Sequence, residues 1–218
     1  MKKEYKINID GKWTLEDLYL LPHTYNQVYG FMYSLSKIKD ISPETLDGVN
    51  IDFDERIFFT YTSQPWKGGY SAVNFYKYLK NLVPLRHRPR IKAIHYESPG
   101  FMELILFVPV AIAIKKIVQS FCVAGESINS LYNEIYKGMQ ERKLLQINVK
   151  KEELKLKTAD LEFISSSTKS LAKLLGFKSV KELNKVTRNP LTSLKILLSF
   201  YRRIRSLANY TTKGKTKF

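Results

Sequence analysis

RIKAIHYESPGFMELILFVPVAIAIKKIV, residues 90–118, holds the densest apolar run of the chain and its clearest turn signal. Ile91, Ala93 and His95 alternate with Lys92, Ile94 and Tyr96. Ser98, Pro99 and Gly100 interrupt, and Phe101, Met102, Leu104, Ile105, Leu106, Phe107 and Val108 make a second extended run. Two such runs about a turn predict a β-hairpin. Pro99 fixes φ as turn position i+1 requires and Gly100 offers positive φ at i+2, so a type II turn is expected. Pro109 ends the strand and suits the first turn of a helix, and Val110, Ile114, Ile117 and Phe121 recur at helical spacing. An amphipathic helix should follow. One break is expected near Gly125, after which Ser127 opens a part with the stripe Ile128, Leu131, Ile135 and Met139, ending near residue 146.

Upstream, Tyr5, Ile7 and Ile9 alternate with polar residues and end at Asp10-Gly11, a short half-buried strand closing in a turn. Thr14 is a good N-cap with Asp17 in the capping-box place, and Leu15, Leu18, Tyr25, Val28, Met32 and Leu35 mark a buried stripe. Pro22 inside that pattern predicts a kink or a restart. Residues 37–55 are acidic and rich in turn formers, a surface loop, and RIFFTYT, Arg56–Thr62, predicts a central strand. SQPWKGGY, 63–70, reads as a loop with Trp66 packed on the core before a helix from Ser71 to Leu82.

Residues 147–163 alternate charge with leucines and predict a charged helical connector. A basic helical subdomain with a flexible tail is expected over 164–218. Its first helix, Lys169–Leu175, would be capped by Ser166 or Ser167 and stopped by Gly176. A second would be capped by Ser179 and Glu182, and Pro190 would start a third through Leu207. Two short helices ahead of a basic one resemble helix-turn-helix organisation. The third helix, however, is apolar around most of its circumference (Leu191, Leu194, Ile196, Leu197, Leu198, Phe200, Tyr201, Ile204, Leu207), the signature of a packing helix. The whole reads as an α+β fold. A small sheet of the N-terminal strand, the central strand and the hairpin around Ser98–Gly100 is backed by helices within 1–146, and a mainly helical C-terminal part follows.

The net charge of +16 is uneven. Residues 1–60 carry more acids than bases, whereas 164–218 hold 13 Lys and Arg against the single acid Glu182. Such asymmetry points to a polyanionic partner, most often nucleic acid. Two groups are the candidate nucleic-acid contacts. Arg86, Arg88, Arg90 and Lys92 alternate in PLRHRPRIK, and an extended chain would line them on one side about 6.6 Å apart, suited to phosphates. Arg202, Arg203 and Arg205 share a helix end, where cations also favour the dipole and guanidinium groups grip phosphate in two places. Sequence-independent backbone contact is the expected mode.

Catalytic signals are thin. His23, His87 and His95 show no metal-ligand spacing, the lone Cys122 reads as a small buried hydrophobe, and no nucleophile elbow, P-loop or kinase set occurs, so neither metal nor cofactor is expected. Arg90 and His95 have the Arg-x4-His spacing of HEPN-type ribonucleases, but on a strand that separation sends the two side chains to opposite faces. Asp52, Asp54 and Glu55 resemble the metal-binding acids of nucleases without the ExK that would follow. Glu103, in apolar surroundings, needs a Lys or Tyr partner if buried. The run Phe101–Ile114 falls short of the about 20 apolar residues of a spanning helix, and the N-terminus lacks a signal-peptide core, so a cytoplasmic protein without membrane insertion is expected. The leading expectation is a non-catalytic accessory subunit of an assembly acting on nucleic acid, with other subunits held through apolar helical faces, in a setting such as microbial antiviral defence. A metal-dependent nuclease using the acids near Asp52 and a membrane-active effector using the helix after Pro109 are the alternatives.

Overall fold

The structure is a computed structural model that describes residues 3–36, 66, 69–147, 156–177 and 180–218. It is α+β, with a small antiparallel sheet and a mainly helical C-terminal part. The elements are β1 (Lys3–Ile9), α1 (Leu15–Leu35), α2 (Gly69–Leu82), β2 (Arg90–His95), β3 (Gly100–Leu106), α3 (Val108–Glu141), α4 (Thr158–Leu174), α5 (Lys181–Thr187), α6 (Pro190–Thr212) and β4 (Thr216–Lys217). The expected central strand Arg56–Thr62 and the acids Asp52, Asp54 and Glu55 lie outside the described residues.

The sheet order is β2-β3-β1-β4. Alternation decides its faces: Ile7, Ile9, Met102, Leu104 and Leu106 are buried, while Glu4, Lys6 and Asn8 point the other way. On the buried side Ile7, Met102 and Leu104 meet Leu21 and Tyr25 of α1 around a cavity of about 160 Å³. β4 is a strand that the sequence does not signal. The tail expected to be flexible turns at Gly214 after α6, pairs Thr216 with Ile9 and Lys217 with Asn8, and buries Phe218 beside Tyr25.

The hairpin is present, but its turn is not type II. The Ser98–Pro99 peptide is cis, and Gly100 is the first residue of β3 without positive φ. Glycine is needed there for closeness instead. A Cβ on Gly100 would stand 2.3 Å from the His95 carbonyl oxygen and 2.5 Å from that of Glu97. β2 also holds a bulge: Ile91 opposes Leu104 and Ala93 opposes Glu103, leaving Lys92 as the extra residue.

Thr14 caps α1 as its sequence predicts. Its hydroxyl accepts from the Asp17 N–H at 3.1 Å and its own N–H donates to the Asp17 carboxylate at 3.0 Å. The helix continues through Pro22 as one element rather than restarting. Leu15, counted with the stripe, is 87% exposed; burial begins a turn and a half later at Leu21, where α1 meets the sheet. α3 starts at Val108 with Pro109 in its first turn and buries Val110, Ile114, Ile117, Phe121, Ile128, Ile135 and Met139, with the expected break at Gly125. By length and composition α3 could cross a membrane, with a mean hydropathy of 1.5 over its most apolar window, 39% of it buried in this fold. In the sequence the apolar run ends at Lys115 and Lys116, short of a span, whereas the helix itself runs on to Glu141.

α4 begins inside the expected connector and passes residue 164 unbroken, so Ser166 and Ser167 are not caps. Their turn is held from within, by Ser166 donating to the Phe163 carbonyl and Thr168 to that of Ile164. Gly176 does end it: at φ 79° it lets the Phe177 N–H reach the Ala172 carbonyl at 2.9 Å and its own N–H that of Lys173, a Schellman closure. α5 follows Val180 without a side-chain cap, and Ser179, expected there, lies outside the described residues. Asn189 caps α6, Pro190 occupies its first turn, and every residue from Leu191 to Tyr201 is buried. α6 packs against α1, α3, α4, α5 and β4. It is the central helix, and one hydrophobic core takes residues from Ile7 to Phe218 around it. The first half of α6, buried on every side, cannot lie in a DNA groove, so the helix-turn-helix likeness ends there.

Candidate nucleic-acid interface

The two expected cation groups meet different fates. Pro84 to Arg88 is a turn, not an extended strip: the N–H groups of His87 and Arg88 both donate to the Pro84 carbonyl, at 2.8 and 3.1 Å. Only Arg90 and Lys92 of the four are in a strand. Arg88 is half-buried and turns its Nε onto the Val83 carbonyl at 2.8 Å. Lys92 contacts Glu4 and stands 3.6 Å from Glu103. These carboxylates hold the ammonium in its charged form, raising its pKa, while Lys92 lowers that of Glu4. Buried Glu103 thus finds the lysine partner its burial requires. Arg86 and Arg90 are the exposed members left without such a contact among the described residues.

His87 explains why the turn is fixed. Its Nδ1 is 2.6 Å from the Tyr33 hydroxyl, its ring stacks on Phe107 at 5.0 Å, and its carbonyl accepts from the Tyr29 hydroxyl at 2.8 Å. Tyr29 in turn accepts from the Phe107 N–H, tying the turn to α1 and the start of α3. Burial and the neighbouring Arg86 push the His87 pKa below its ordinary value. Nothing in the sequence marks this contact, since the partners are 54 residues apart.

The bulge at Lys92 corrects the reading of Arg90 and His95. Because one residue is extra, Arg90 opposes Ile105 and His95 opposes Phe101, positions on the same, outer face of β3. His95 packs its ring 4.4 Å from that of Phe101. The pair therefore shares a face but is separated by four residue steps of β3, about 14 Å, too far to act on one phosphate.

Among the three arginines of α6, Arg202 and Arg205 are exposed and Arg203 is not available. Its Nε donates to Gln27 at 2.7 Å, its Nη1 to the Ser199 hydroxyl at 2.7 Å and carbonyl at 3.0 Å, and its guanidinium lies 3.6 Å over the Tyr76 ring. Burial lowers its pKa. Helical spacing separates the roles, because Arg202 and Arg205 stand three apart on the solvent side while Arg203 faces α1 and α2.

Two further cations of the C-terminal part are drawn inward. Lys195, 8% exposed, donates to the carbonyls of Trp66 at 2.7 Å, Ile147 at 3.1 Å and Leu145 at 3.3 Å. Lys215 pairs with Asp17 at 2.7 Å. A lysine inside LTSLKILLSF was the available signal for the first. Lys169 and Lys173 of α4, with Arg202, Arg205, Lys213 and Lys217, remain exposed and make no ion pair among the described residues.

Among the described residues no group of three His, Cys, Asp or Glu could hold a metal ion. The half-buried Cys122 thiol has its pKa raised by burial, away from reactivity. Comparison of the chain with family models, with curated proteins and with solved structures finds no match.

Proposed function

We propose that this chain is a non-catalytic accessory subunit that lends a larger assembly a grip on nucleic-acid backbone with little sequence preference. The observation that carries this is the set of exposed cations on the C-terminal elements, Lys169, Lys173, Arg202, Arg205, Lys213 and Lys217, with no carboxylate paired to any of them among the described residues. Lys169 and Lys173 are one turn apart on α4, and Arg202 and Arg205 share the solvent face of α6, so each helix presents a repeated positive charge rather than a base-reading edge. Exposed Leu15, Tyr19 and Val123, at 87, 64 and 91%, are the apolar positions at which other subunits would seat.

The test is binding of duplex DNA and RNA by fluorescence anisotropy across a salt series. The wild type should bind at low salt with little dependence on base sequence. Replacing Arg202 and Arg205 with Gln should flatten the salt slope by about two units, at about 0.9 per phosphate contact. No binding at low salt, or a double variant with the wild-type slope, would overturn the assignment and shift it to an acidic protein partner for the same surface.

A further inference from the structure

Against one stripe of α6 lies an open cavity of about 270 Å³, bordered by Trp66, Tyr136 of α3, Leu145, and Lys195, Leu198 and Arg202 of α6. The three α6 residues recur at spacings of three and four, so they share a face. The volume is just below the about 300 Å³ at which small-molecule sites usually begin, room for one planar ring system and too little for an extended cofactor or an acyl chain.

Its walls bring three chemistries together. Trp66 is buried and held edge-on to Phe75, ring centres 5.1 Å apart. Half-buried Tyr136 is the outermost of three near-parallel rings: Tyr132 lies 5.9 Å from it at 17°, and Tyr201 lies 4.1 Å from Tyr132 at 10°. Such a stack is prepared to accept one more flat ring. The positive charge is built in. The three ammonium protons of Lys195 are directed at backbone carbonyls, which fixes the charge in place, and exposed Arg202 brings a guanidinium fork free of any ion pair among the described residues. Leu145 and Leu198 supply apolar contact. Two cations disfavour a basic ligand, and a bare phosphate has no surface to pack on the aromatic and leucine walls.

We infer that this cavity takes a single nucleoside monophosphate unit, its base against Tyr136 and Trp66 and its phosphate on Arg202, presented by a single-stranded nucleic acid or as the free nucleotide. The inference rests on the reading of the chain as a nucleic-acid binder and narrows it, since a base inside a duplex is stacked and cannot enter. Stacking tolerates any base, in keeping with backbone-led recognition.

The full chain is titrated calorimetrically with the four ribonucleoside monophosphates, with inorganic phosphate, and with single-stranded and duplex oligonucleotides of equal length. Each mononucleotide should bind where inorganic phosphate does not, and single strands should bind more tightly than duplex. Tyr136→Leu should weaken nucleotide and single-strand binding about tenfold while leaving duplex binding unchanged, and Tyr136→Phe should restore it. Single strands that bind more tightly than mononucleotides identify the polymer as source; equal affinities identify the free nucleotide. Nucleotide and inorganic phosphate that behave alike, or a Tyr136→Leu protein that binds single strands as the wild type does, overturn the cavity assignment while the polyanion surface stands. Mononucleotide binding without any polymer binding overturns the polyanion surface and leaves the cavity.

Discussion

Arg203 lies flat over Tyr76, its guanidinium carbon 3.6 Å from the ring centre, and thereby joins α6 to α2 while its Nε reaches Gln27 on α1. Three helices meet on one charged group. Taking it away leaves the Gln27 and Ser199 acceptors half-met and the ring uncovered, so Arg203→Leu should cost about 2–4 kcal/mol in urea unfolding. Arg203→Lys should recover little, because an ammonium cannot supply the planar fork. A Leu variant with the wild-type midpoint would mean that the guanidinium is held by solvent and not by Tyr76 and Gln27.

That contrast shows how much the sequence reveals. The capping box of Thr14 and Asp17, the hairpin, the helix start at Pro109, the break at Gly125 and the stop at Gly176 are all legible, because each is a local device within a few residues. The buried character of α6 is legible too, as its apolar residues run all the way round. What the sequence hides is the use of each charge. Arg202, Arg203 and Arg205 look equivalent in a row, and only the positions of α1 and α2 make the middle one internal. The strip Arg86–Lys92 fails for a similar reason: a turn at Pro84 and a bulge at Lys92 are set by His87 and Glu103, whose contacts lie far along the chain or across the sheet.

Lys195 offers a second measure of an internal charge. Its ammonium serves the carbonyls of Trp66, Leu145 and Ile147, segments that nothing else in α6 reaches by hydrogen bond among the described residues. Lys195→Met keeps the stem and removes the donors, leaving the buried Trp66 carbonyl unmet at a cost of about 1–3 kcal/mol, with a smaller cost at the half-buried Leu145 and Ile147 carbonyls. The variant should lose stability in urea and increase hydrogen exchange near Leu145. Unchanged exchange there would show that these carbonyls do not depend on the lysine.

Gly100 separates two explanations of one glycine. Were positive φ the reason, Asn, which tolerates left-handed backbone, would be nearly neutral. The structure instead gives a Cβ no room, with the His95 and Glu97 carbonyl oxygens at 2.3 and 2.5 Å from where it would sit. Both Gly100→Ala and Gly100→Asn should therefore destabilise by about 1–3 kcal/mol, through forced movement of the hairpin backbone. Thermal melting of the two variants decides it, and an Asn protein as stable as the wild type would restore the type II turn.

The last relationship joins the two ends of the chain. Asp17, whose carboxylate accepts from the Lys215 ammonium at 2.7 Å and from the Thr14 N–H at 3.0 Å, has its pKa lowered to about 2, chiefly by the lysine. Folded and unfolded values then differ, since an unconstrained Asp titrates near 3.9. A lowered folded pKa means that the unfolded chain binds the proton first as pH falls. The contribution is complete above about pH 4, shrinks as pH drops, and is gone below about 2. Lys215 precedes β4, so protonating Asp17 also loosens the strand that closes the sheet beside β1. Asp17→Asn should be less stable than the wild type at pH 7 and should lose less between pH 4 and 2, and Lys215→Gln should act in the same direction. Both variants should show faster exchange at Thr216 and Ile9, measured at neutral pH. Parallel acid-unfolding curves for wild type and Asp17→Asn would show that the pair does not couple the C-terminal strand to the cap of α1.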